Sequence, residues 1–333
     1  EDICQLLSLI GVMPVWDGPT RRIIDLEVIP LTILRRPRVD VLLRISGLFR
    51  DAFPNLIDLV NKAQKLVAEM EEPGNMNPLS VTYKKNGFTG RVYGSAPGAY
   101  GAGLQALIDS GAWEERNDLA EAYLAWSQWR YDEADKIIKD REGLEESLED
   151  IQVVIHNQDN KEHDILDSDD YYQFQGGLAA AIGKVTGKIP ELYIGDNSRA
   201  ERPKVHKLSK EIDKVFRSRM LNPRWIKGMQ NHGYKGAFEM GASIDYLFAY
   251  DATTNVVSDW MYSQICDKWL MDISNQEFLR KNNPWVLRDI AERLLEAANR
   301  KLWSKPETHE IEFLKQLIHD IESQIEKEEY KLS

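Results

Sequence analysis

The chain has 333 residues, of which 43% are hydrophobic and 29% are charged, and its formal net charge is -12. This length and apolar content predict a globular protein with one large domain or two of ordinary size. The negative charge argues against general binding to nucleic acid or anionic membranes, because both partners require a basic surface.

Export and membrane signals are not found in the sequence. No run of about eighteen apolar residues occurs. The segment Glu1 to Cys4 has neither the basic n-region nor the apolar stretch of a signal peptide. Cys4 and Cys266 are far apart, which predicts two buried thiols rather than a disulfide framework or a cysteine zinc site. We therefore expect a cytoplasmic protein. Since the sequence lacks an initiating Met and starts inside a helical pattern, we also expect a piece of a longer chain.

Apolar runs rich in Val, Ile, Leu and Tyr alternate with segments of helical periodicity. The predicted strands are residues 23–29, 39–45, 88–93, 151–156 and 191–195. The predicted helices lie near residues 54–70, 101–110, 117–130, 133–147 and 168–184. From Leu208 onward the helical pattern continues to a charged terminal helix that ends near Tyr330. The predicted fold class is α/β, with a mostly parallel sheet flanked by helices and followed by a largely helical C-terminal part.

Two regions follow from this pattern. Residues 1–207 are predicted to form an α/β domain, and residues 208–333 a mainly helical region packed on it. Within the first region, polar and glycine residues follow the C-terminal ends of four predicted strands, which is where ligands bind in open α/β sheets. The loops concerned are residues 46–51, 94–101, 156–172 and 196–199. We expect these four loops to converge on one crevice.

The loop 156–172 combines two histidines with a run of carboxylates, a donor set that suits cobalt, zinc or manganese. If a helix starts near His163, then His163 and Asp167 lie four residues apart on one face, and Asp170 follows three residues later. This spacing predicts a metal site formed by these three side chains. The alternatives are that Asp167 or Ser168 caps the next helix, and that His163 lies in an ordinary surface loop.

The segment Gly94 to Gly103 is a candidate anion-binding turn, because its glycines free the backbone at a predicted helix start. The alternative is an ordinary strand-to-helix turn. Neither GxxxxGK[ST] nor GxGxxG occurs, so nucleotide hydrolysis and dinucleotide binding by this chain are not supported. The hydrolase signatures GxSxG and HExxH are not found either.

Six linked motifs carry a resemblance to a known family. They are RISGLFRDAFP at residues 44–54, GSAPGAYGAGLQ at 94–105, NQDNKEHD at 157–164, DSDDYYQF at 167–174, NPRW at 222–225 and HGYKGA at 232–237. Together they resemble the large subunit of aerobic-type cobaltochelatases, and the likeness extends from Gly11 to Trp303. The related magnesium chelatase large subunit shares NPxW and GYxG landmarks, but the EHD and DSDDYY motifs point to the cobalt branch.

The resemblance implies part of an ATP-dependent enzyme that inserts Co²⁺ into a corrin ring of the hydrogenobyrinic acid diamide type during cobalamin biosynthesis. This chain would bind the corrin and the cobalt. A AAA+ ATPase subunit and a subunit with an integrin-like domain would use the ATP and Mg²⁺, which agrees with the missing P-loop. The chain alone is expected to be inactive, because family members are several times longer.

The resemblance also implies roles for individual residues. His163, with Glu162, Asp164 or Asp167, would deliver cobalt and accept the ring N–H protons that metal insertion displaces, since imidazole titrates near neutrality. The substrate contacts implied are Gln158, Asn160, Tyr171 and Tyr172 for the ring or its amides, Ser95, Gly98 and Tyr100 in the glycine-rich loop, and Arg44, Arg50, Arg199 and Arg224 for peripheral carboxylates.

Two other functions stay open at this point. One is the porphyrin-binding large subunit of a magnesium chelatase. The other is a noncatalytic scaffold that docks the ATPase subunits through the acidic C-terminal helix, Glu307 to Tyr330. The periodicity of that helix fits intramolecular packing equally well.

Overall fold

A computed structural model describes residues 2–87, 90–199 and 201–332 of the chain. Its strands form three separate sheets, in the orders β1-β2, β3-β4-β5-β6 and β7-β8-β9. The strands are β1 (Val12–Trp16), β2 (Ile23–Val28), β3 (Leu43–Arg44), β4 (Val92–Gly94), β5 (Trp129–Tyr131), β6 (Ile137–Lys139), β7 (Val153–Gln158), β8 (Glu191–Asp196) and β9 (Lys204–Lys207). The pairs β3–β4 and β7–β8 are parallel, and the remaining pairs are antiparallel.

Helices make up most of the rest of the described chain. They are α1 (Asp2–Ile10), α2 (Leu31–Leu34), α3 (Gly47–Ala52), α4 (Pro54–Ala68), α5 (Pro78–Asn86), α6 (Gln105–Asp109), α7 (Arg116–Ser127), α8 (Arg141–Leu148), α9 (Gly177–Thr186), α10 (Leu208–Val215), α11 (Pro223–Asn231), α12 (Gly233–Thr254), α13 (Asp259–Ile265), α14 (Ile273–Asn282), α15 (Pro284–Asn299) and α16 (Thr308–Leu332). Three π-helical segments extend neighbouring helices: Tyr172–Gly176, Phe216–Met220 and Cys266–Met271.

The predicted α/β class and the helical C-terminal part are confirmed: within the described residues every strand ends before Leu208. Each predicted strand overlaps an observed one, although the strand predicted over residues 39–45 is reduced to Leu43–Arg44. Phe88, the first residue of another predicted strand, lies outside the described residues. The parallel pairing is limited to two pairs, because hairpin-like neighbours such as β5 and β6 return along the same sheet.

The prediction of one helix over residues 133–147 is wrong in its first half. Residues Ile137–Lys139 form β6, which pairs with β5 in antiparallel register. The helix begins only at Arg141, because the side chain of Asp140 accepts a hydrogen bond of 3.0 Å from the backbone N–H of Gly143 and caps it there. Tertiary pairing therefore overrides the local helical pattern.

The prediction of two buried thiols is confirmed for Cys266 and wrong for Cys4, which is exposed. Cys4 lies outside the buried face of α1, which is formed by Ile3, Leu6, Leu7 and Ile10.

The chain divides into two compact units. The first unit comprises Glu1–Leu104, Ala120–Ile151 and Ala181–Lys188, and the second comprises Gln105–Leu119, Gln152–Ala180 and Ile189–Ser333. These units are discontinuous in sequence, whereas the prediction placed a single boundary at residue 207. That boundary stays a prediction.

Each unit has an apolar core of its own. In the first unit, α4 presents Ile57, Val60 and Val67 at helical spacing, each fully buried against residues of α1 and β4. In the second unit, the long helix α12 packs against α11 and α15, and α16 packs along α15. The described apolar residues of α16 on that face are Leu314, Leu317, Ile321 and Ile325.

None of the helices in the described ranges is both long and apolar enough to cross a membrane.

Candidate functional site

The four loops predicted to share one crevice divide between the two units. The loops after β3 and β4 belong to the first unit, and those after β7 and β8 belong to the second. The convergence of all four loops stays a prediction, and the chemistry of each unit follows from its own contacts.

In the first unit, Arg50 binds the backbone of the glycine-rich loop. Its side chain is only 7% exposed, and its Nη1 donates to the backbone carbonyls of Ala96 (2.8 Å) and Ala99 (3.2 Å). Nε and Nη2 form a two-point contact with the carboxylate of Asp51 at 2.7 and 3.0 Å. This hydrogen bonding raises the pKa of Arg50. These contacts position the loop, and the assignment of Arg50 to a substrate carboxylate stays a prediction.

Arg44 holds the other end of the same loop. Its guanidinium donates to the carbonyls of Ile45 (2.8 Å) and Gly101 (3.0 Å) and to the hydroxyl of Ser127 (3.2 Å). Arg44 therefore binds the backbone of the glycine-rich loop. Both Arg44 and this loop were predicted to contact the substrate, and that prediction stays open.

Within the loop, the predicted ligand contacts differ in accessibility. Ser95 is buried, and its hydroxyl donates to the carbonyl of Ala99 at 2.8 Å. Tyr100 is exposed, and its hydroxyl donates to Asp51 at 2.6 Å, a contact that raises the pKa of Tyr100. Gly98 has a left-handed φ of 78° with open space beside it. Gly98 and Tyr100 are thus the members of this group that a ligand could reach.

In the second unit, the loop after β7 is held by two buried residues, Ile165 and Leu166. Asp164 closes a turn over them: its Oδ1 accepts from the N–H of Leu166 (2.9 Å), and its carbonyl accepts from the N–H of Asp167 (3.0 Å). The next helical residue is Asp170, whose N–H donates to the Ser168 hydroxyl at 3.3 Å. His163 and Asp167 therefore pair across a turn and not along a helix.

His163 is exposed, yet its contacts are well defined. Its Nδ1 lies 3.1 Å from Oδ2 of Asp167. Its backbone N–H donates to Oδ1 of Asn160 at 3.1 Å, and its carbonyl accepts from Nε2 of Gln158. Gln158 and Asn160, predicted to contact the ring, are thus brought to the main chain of His163. The three contacts fix the place of the imidazole while leaving it accessible.

Arg219, which was not among the predicted site residues, joins this loop to the helical part of the second unit. It lies in the second π-helical segment and is 9% exposed. Its Nε donates to Asp164 (2.9 Å), its Nη2 contacts Asp167 (2.7 Å), and its Nη1 donates to Ser243 of α12 (3.3 Å). π-helical turns often occur at functional sites.

A cavity of about 370 Å³ opens beside Asp167 and Arg219. Its lining residues are Asp167, Arg219, Trp225, Met229, His232, Lys235, Gly236 and Glu239. The guanidinium of Arg219 lies 5.1 Å from the centroid of the Trp225 ring, and Trp269 stacks on that ring with centroids 6.1 Å apart. These contacts hold Trp225 in place at the cavity wall.

Sequence signals for this cavity were present in the NPRW and HGYKGA motifs, which contain Trp225, His232 and Lys235. Met229 and Glu239 follow Trp225 and Lys235 by four residues, which is the spacing of one helix face. Arg219 stands outside these motifs and had no comparable signal.

Of the predicted metal ligands, the structure brings His163 and Asp167 together, and Asp170 is exposed at the helix start. Across the described residues, no group of three or more His, Cys, Asp or Glu side chains is arranged to hold a metal ion. Metal binding by these residues stays a prediction.

The other predicted site residues of this unit have different surroundings. Tyr171 packs against His156 with ring centroids 5.0 Å apart, and burial raises the pKa of Tyr171 to about 12. Tyr172 is buried beside Tyr246. The exposed members are Glu162, Arg199 and Arg224. Burial also lowers the pKa of His156 to about 4, so that this ring is neutral at physiological pH.

The chain belongs to the CobN/magnesium chelatase family, whose model matches residues 1–310. It is 45% identical to the aerobic cobaltochelatase subunit CobN of Pseudomonas aeruginosa over 97% of this chain and 27% of that protein. It is 32% identical to a magnesium-chelatase subunit of Chlorobaculum parvum over 98% of this chain and 26% of that protein.

A solved structure, the catalytic subunit of cobaltochelatase from Mycobacterium tuberculosis, is similar with a TM-score of 0.93 and 44% identity. That match covers 97% of this chain and 28% of that one. The chain thus spans about a quarter of the length of the relatives it matches.

Proposed function

We propose that this chain is the corrin- and metal-binding portion of an ATP-dependent cobaltochelatase, which inserts Co²⁺ into a ring of the hydrogenobyrinic acid diamide type in cobalamin biosynthesis. The observation that carries the proposal is the second-unit cavity, where Asp167 lines the wall and contacts the exposed imidazole of His163. Identity of 45% and 46% to two cobaltochelatase subunits, against 32% and 30% to two magnesium-chelatase subunits, supports the cobalt branch.

The cavity has the chemistry that a tetrapyrrole with peripheral carboxylates requires. Its volume falls in the range of about 300–1,000 Å³ that is usual for small-molecule sites. Trp225 and Met229 offer apolar surface to part of a ring, while Lys235 offers a cationic group to a carboxylate. Because the whole ring is larger than this cavity, we assign one edge of the macrocycle to it.

Metal insertion requires a group that delivers the ion and a base that accepts the ring N–H proton that the ion displaces. The ring nitrogens supply the final ligands, so the protein needs no complete cage of its own. The imidazole of His163 suits both tasks, because the lone pair of a neutral imidazole can bind a first-row metal or accept a proton. Glu162 and Asp164 are neighbouring carboxylates that complete the proposed set.

The remaining parts of the proposal follow the resemblance. Partner subunits with a AAA+ domain and an integrin-like domain would use ATP and Mg²⁺, and the assembly would work in the cytoplasm. The packing of α16 along α15 accounts for its apolar face, so we do not assign that face to docking.

Absorbance titrations test the proposal. The chain is titrated with a metal-free corrin, and separately with a metal-free porphyrin, in the presence and absence of Co²⁺. We expect corrin-selective binding whose cobalt dependence is lost in His163→Ala. The matched control is His309→Ala, because His309 is also exposed and its Nδ1 also lies close to a carboxylate, that of Glu307 at 3.2 Å. A preference for porphyrin would favour the magnesium branch, and binding of neither ring would favour a scaffold.

A further inference from the structure

The guanidinium of Arg219 occupies a fixed position in the second unit. It makes three polar contacts, to Asp164, Asp167 and Ser243, and lies 5.1 Å from the ring centroid of Trp225. Its side chain is only 10% exposed. Because these partners come from one loop and two helices, Arg219 has little freedom to rotate.

Asp167 is shared between Arg219 and His163. Its Oδ1 accepts from Nη2 of Arg219 at 2.7 Å, and its Oδ2 lies 3.1 Å from Nδ1 of His163. A guanidinium has only donors, and a carboxylate paired with it accepts hydrogen bonds at both oxygens. The hydrogen between Asp167 and His163 therefore belongs to Nδ1. In the neutral imidazole, the lone pair is then on Nε2.

We propose that Arg219 is a positioning residue for metal insertion: by holding Asp167, it fixes the Nδ1–H tautomer of His163 and makes Nε2 the atom that meets the cobalt or the ring proton. This inference rests on the proposed function and deepens it. It also assigns Asp167 a different task from the one predicted, since both its oxygens are engaged and it orients the imidazole instead of binding the metal.

The surroundings of His163 agree with this division of tasks. The imidazole is 60% exposed, so Nε2 is open to a ligand. The main chain on either side is held by Asn160 and Gln158. Histidines that bind metals commonly donate their second ring N–H to a carboxylate, which raises the basicity of the binding nitrogen.

The tautomer can be measured in the metal-free chain by ¹⁵N–¹H NMR of the histidine rings. We expect Nδ1–H at His163 in the wild-type chain. In Asp167→Asn, the amide oxygen must face the donors of Arg219, which turns the NH₂ group toward His163. That group donates to Nδ1, so we expect the Nε2–H tautomer. In Arg219→Gln, we expect a mixture of the two tautomers.

The control is Arg217→Gln in the same π-helical segment, because Arg217 is exposed and lies over Trp260 instead, 4.7 Å from its centroid. We expect it to keep the wild-type tautomer. An Nε2–H tautomer in the wild-type chain, or an unchanged tautomer in both Asp167→Asn and Arg219→Gln, overturns the proposal. Should Arg219→Gln fail to fold, Asp167→Asn carries the test, since it keeps the shape of the side chain.

Binding of Co²⁺ alone, followed by visible absorption, gives the second readout. Loss of a group that orients a metal-binding histidine lowers metal affinity about 10–100-fold, and we expect this range for Arg219→Gln and no change for Arg217→Gln. Cobalt binding that does not depend on His163 would count against the proposed function. Binding that depends on His163 but is unaffected by Arg219→Gln would overturn the role of Arg219.

Discussion

The hydroxyl of Tyr262 donates a hydrogen bond of 2.9 Å to Oδ2 of Asp251, a carboxyl that is only 1% exposed near the C-terminal end of α12. The backbone N–H of Val257 donates to the other oxygen at 3.3 Å. Burial nevertheless dominates and raises the pKa of Asp251 to about 7. Because the pKa of this buried carboxyl is raised on folding, the stability of this unit depends on pH.

The sign of that dependence follows from linkage. The unfolded chain loses the Asp251 proton near its ordinary pKa, whereas the folded chain keeps it up to about 7, so stability falls as pH rises between these values. From pH 5 to pH 8 we expect a loss on the order of 2–3 kcal/mol. Urea unfolding of the wild type and Asp251→Asn at both pH values measures it. Equal pH slopes in the two proteins would contradict the prediction.

Replacing Arg38 should destabilise the first unit strongly. Its buried guanidinium contacts the carboxylate of Glu72 through two nitrogens at 2.7 Å each and donates to three backbone carbonyls. Arg38→Met removes all of these hydrogen bonds and leaves the Glu72 carboxylate, only 9% exposed, without its counter-ion, so we expect a loss of about 3–5 kcal/mol in the free energy of unfolding. Lys62→Met is the control, because its ion pair with Asp25 is exposed and screened by solvent, so that its loss should have little effect on stability. Similar losses in both variants would refute this reasoning.

Two glycines near the cavity should respond oppositely to alanine. A Cβ at Gly236 would lie 1.9 Å from the backbone carbonyl of Met229, so Gly236→Ala must separate α11 from α12. Gly228 lies inside α11 with nothing within 4 Å of its Cβ position. Gly228→Ala should therefore stabilise by about 0.5–1 kcal/mol through helix propensity. Thermal unfolding separates the two cases, and a neutral Gly236→Ala would show that the helices are not held at this distance.

Two glycines of the glycine-rich loop form a similar pair. Gly98 and Gly103 have nearly the same left-handed φ, 78° and 80°. A Cβ at Gly98 meets open space, so Gly98→Ala should cost about 1–2 kcal/mol from backbone strain alone. A Cβ at Gly103 would lie 2.2 Å from the ring of Trp126, and Gly103→Ala should cost more and shift the tryptophan fluorescence. Equal costs without a spectral change would contradict the close contact.

By itself, the sequence determined the α/β class, the order of the main strands and the helical C-terminal part, because apolar periodicity is a local property of the chain. It also singled out His163 and Asp167, since four residues of separation bring two side chains together in a turn as well as in a helix. The same spacing could not show that the turn is closed by Asp164 instead of continuing as a helix.

Only the tertiary structure decided the partners of these residues. Arg219 is 55 residues from Asp164, and no local pattern relates the two positions. The chain places them together because the buried Ile165 and Leu166 fix the loop while a π-helical turn directs Arg219 toward it. The same holds for Arg44 and Arg50, whose guanidinium groups bind backbone carbonyls of the glycine-rich loop, a contact that no local pattern predicts. The sequence alone does not distinguish these arginines from other arginines of the chain. Their long-range hydrogen bonds, which form only in the folded protein, do.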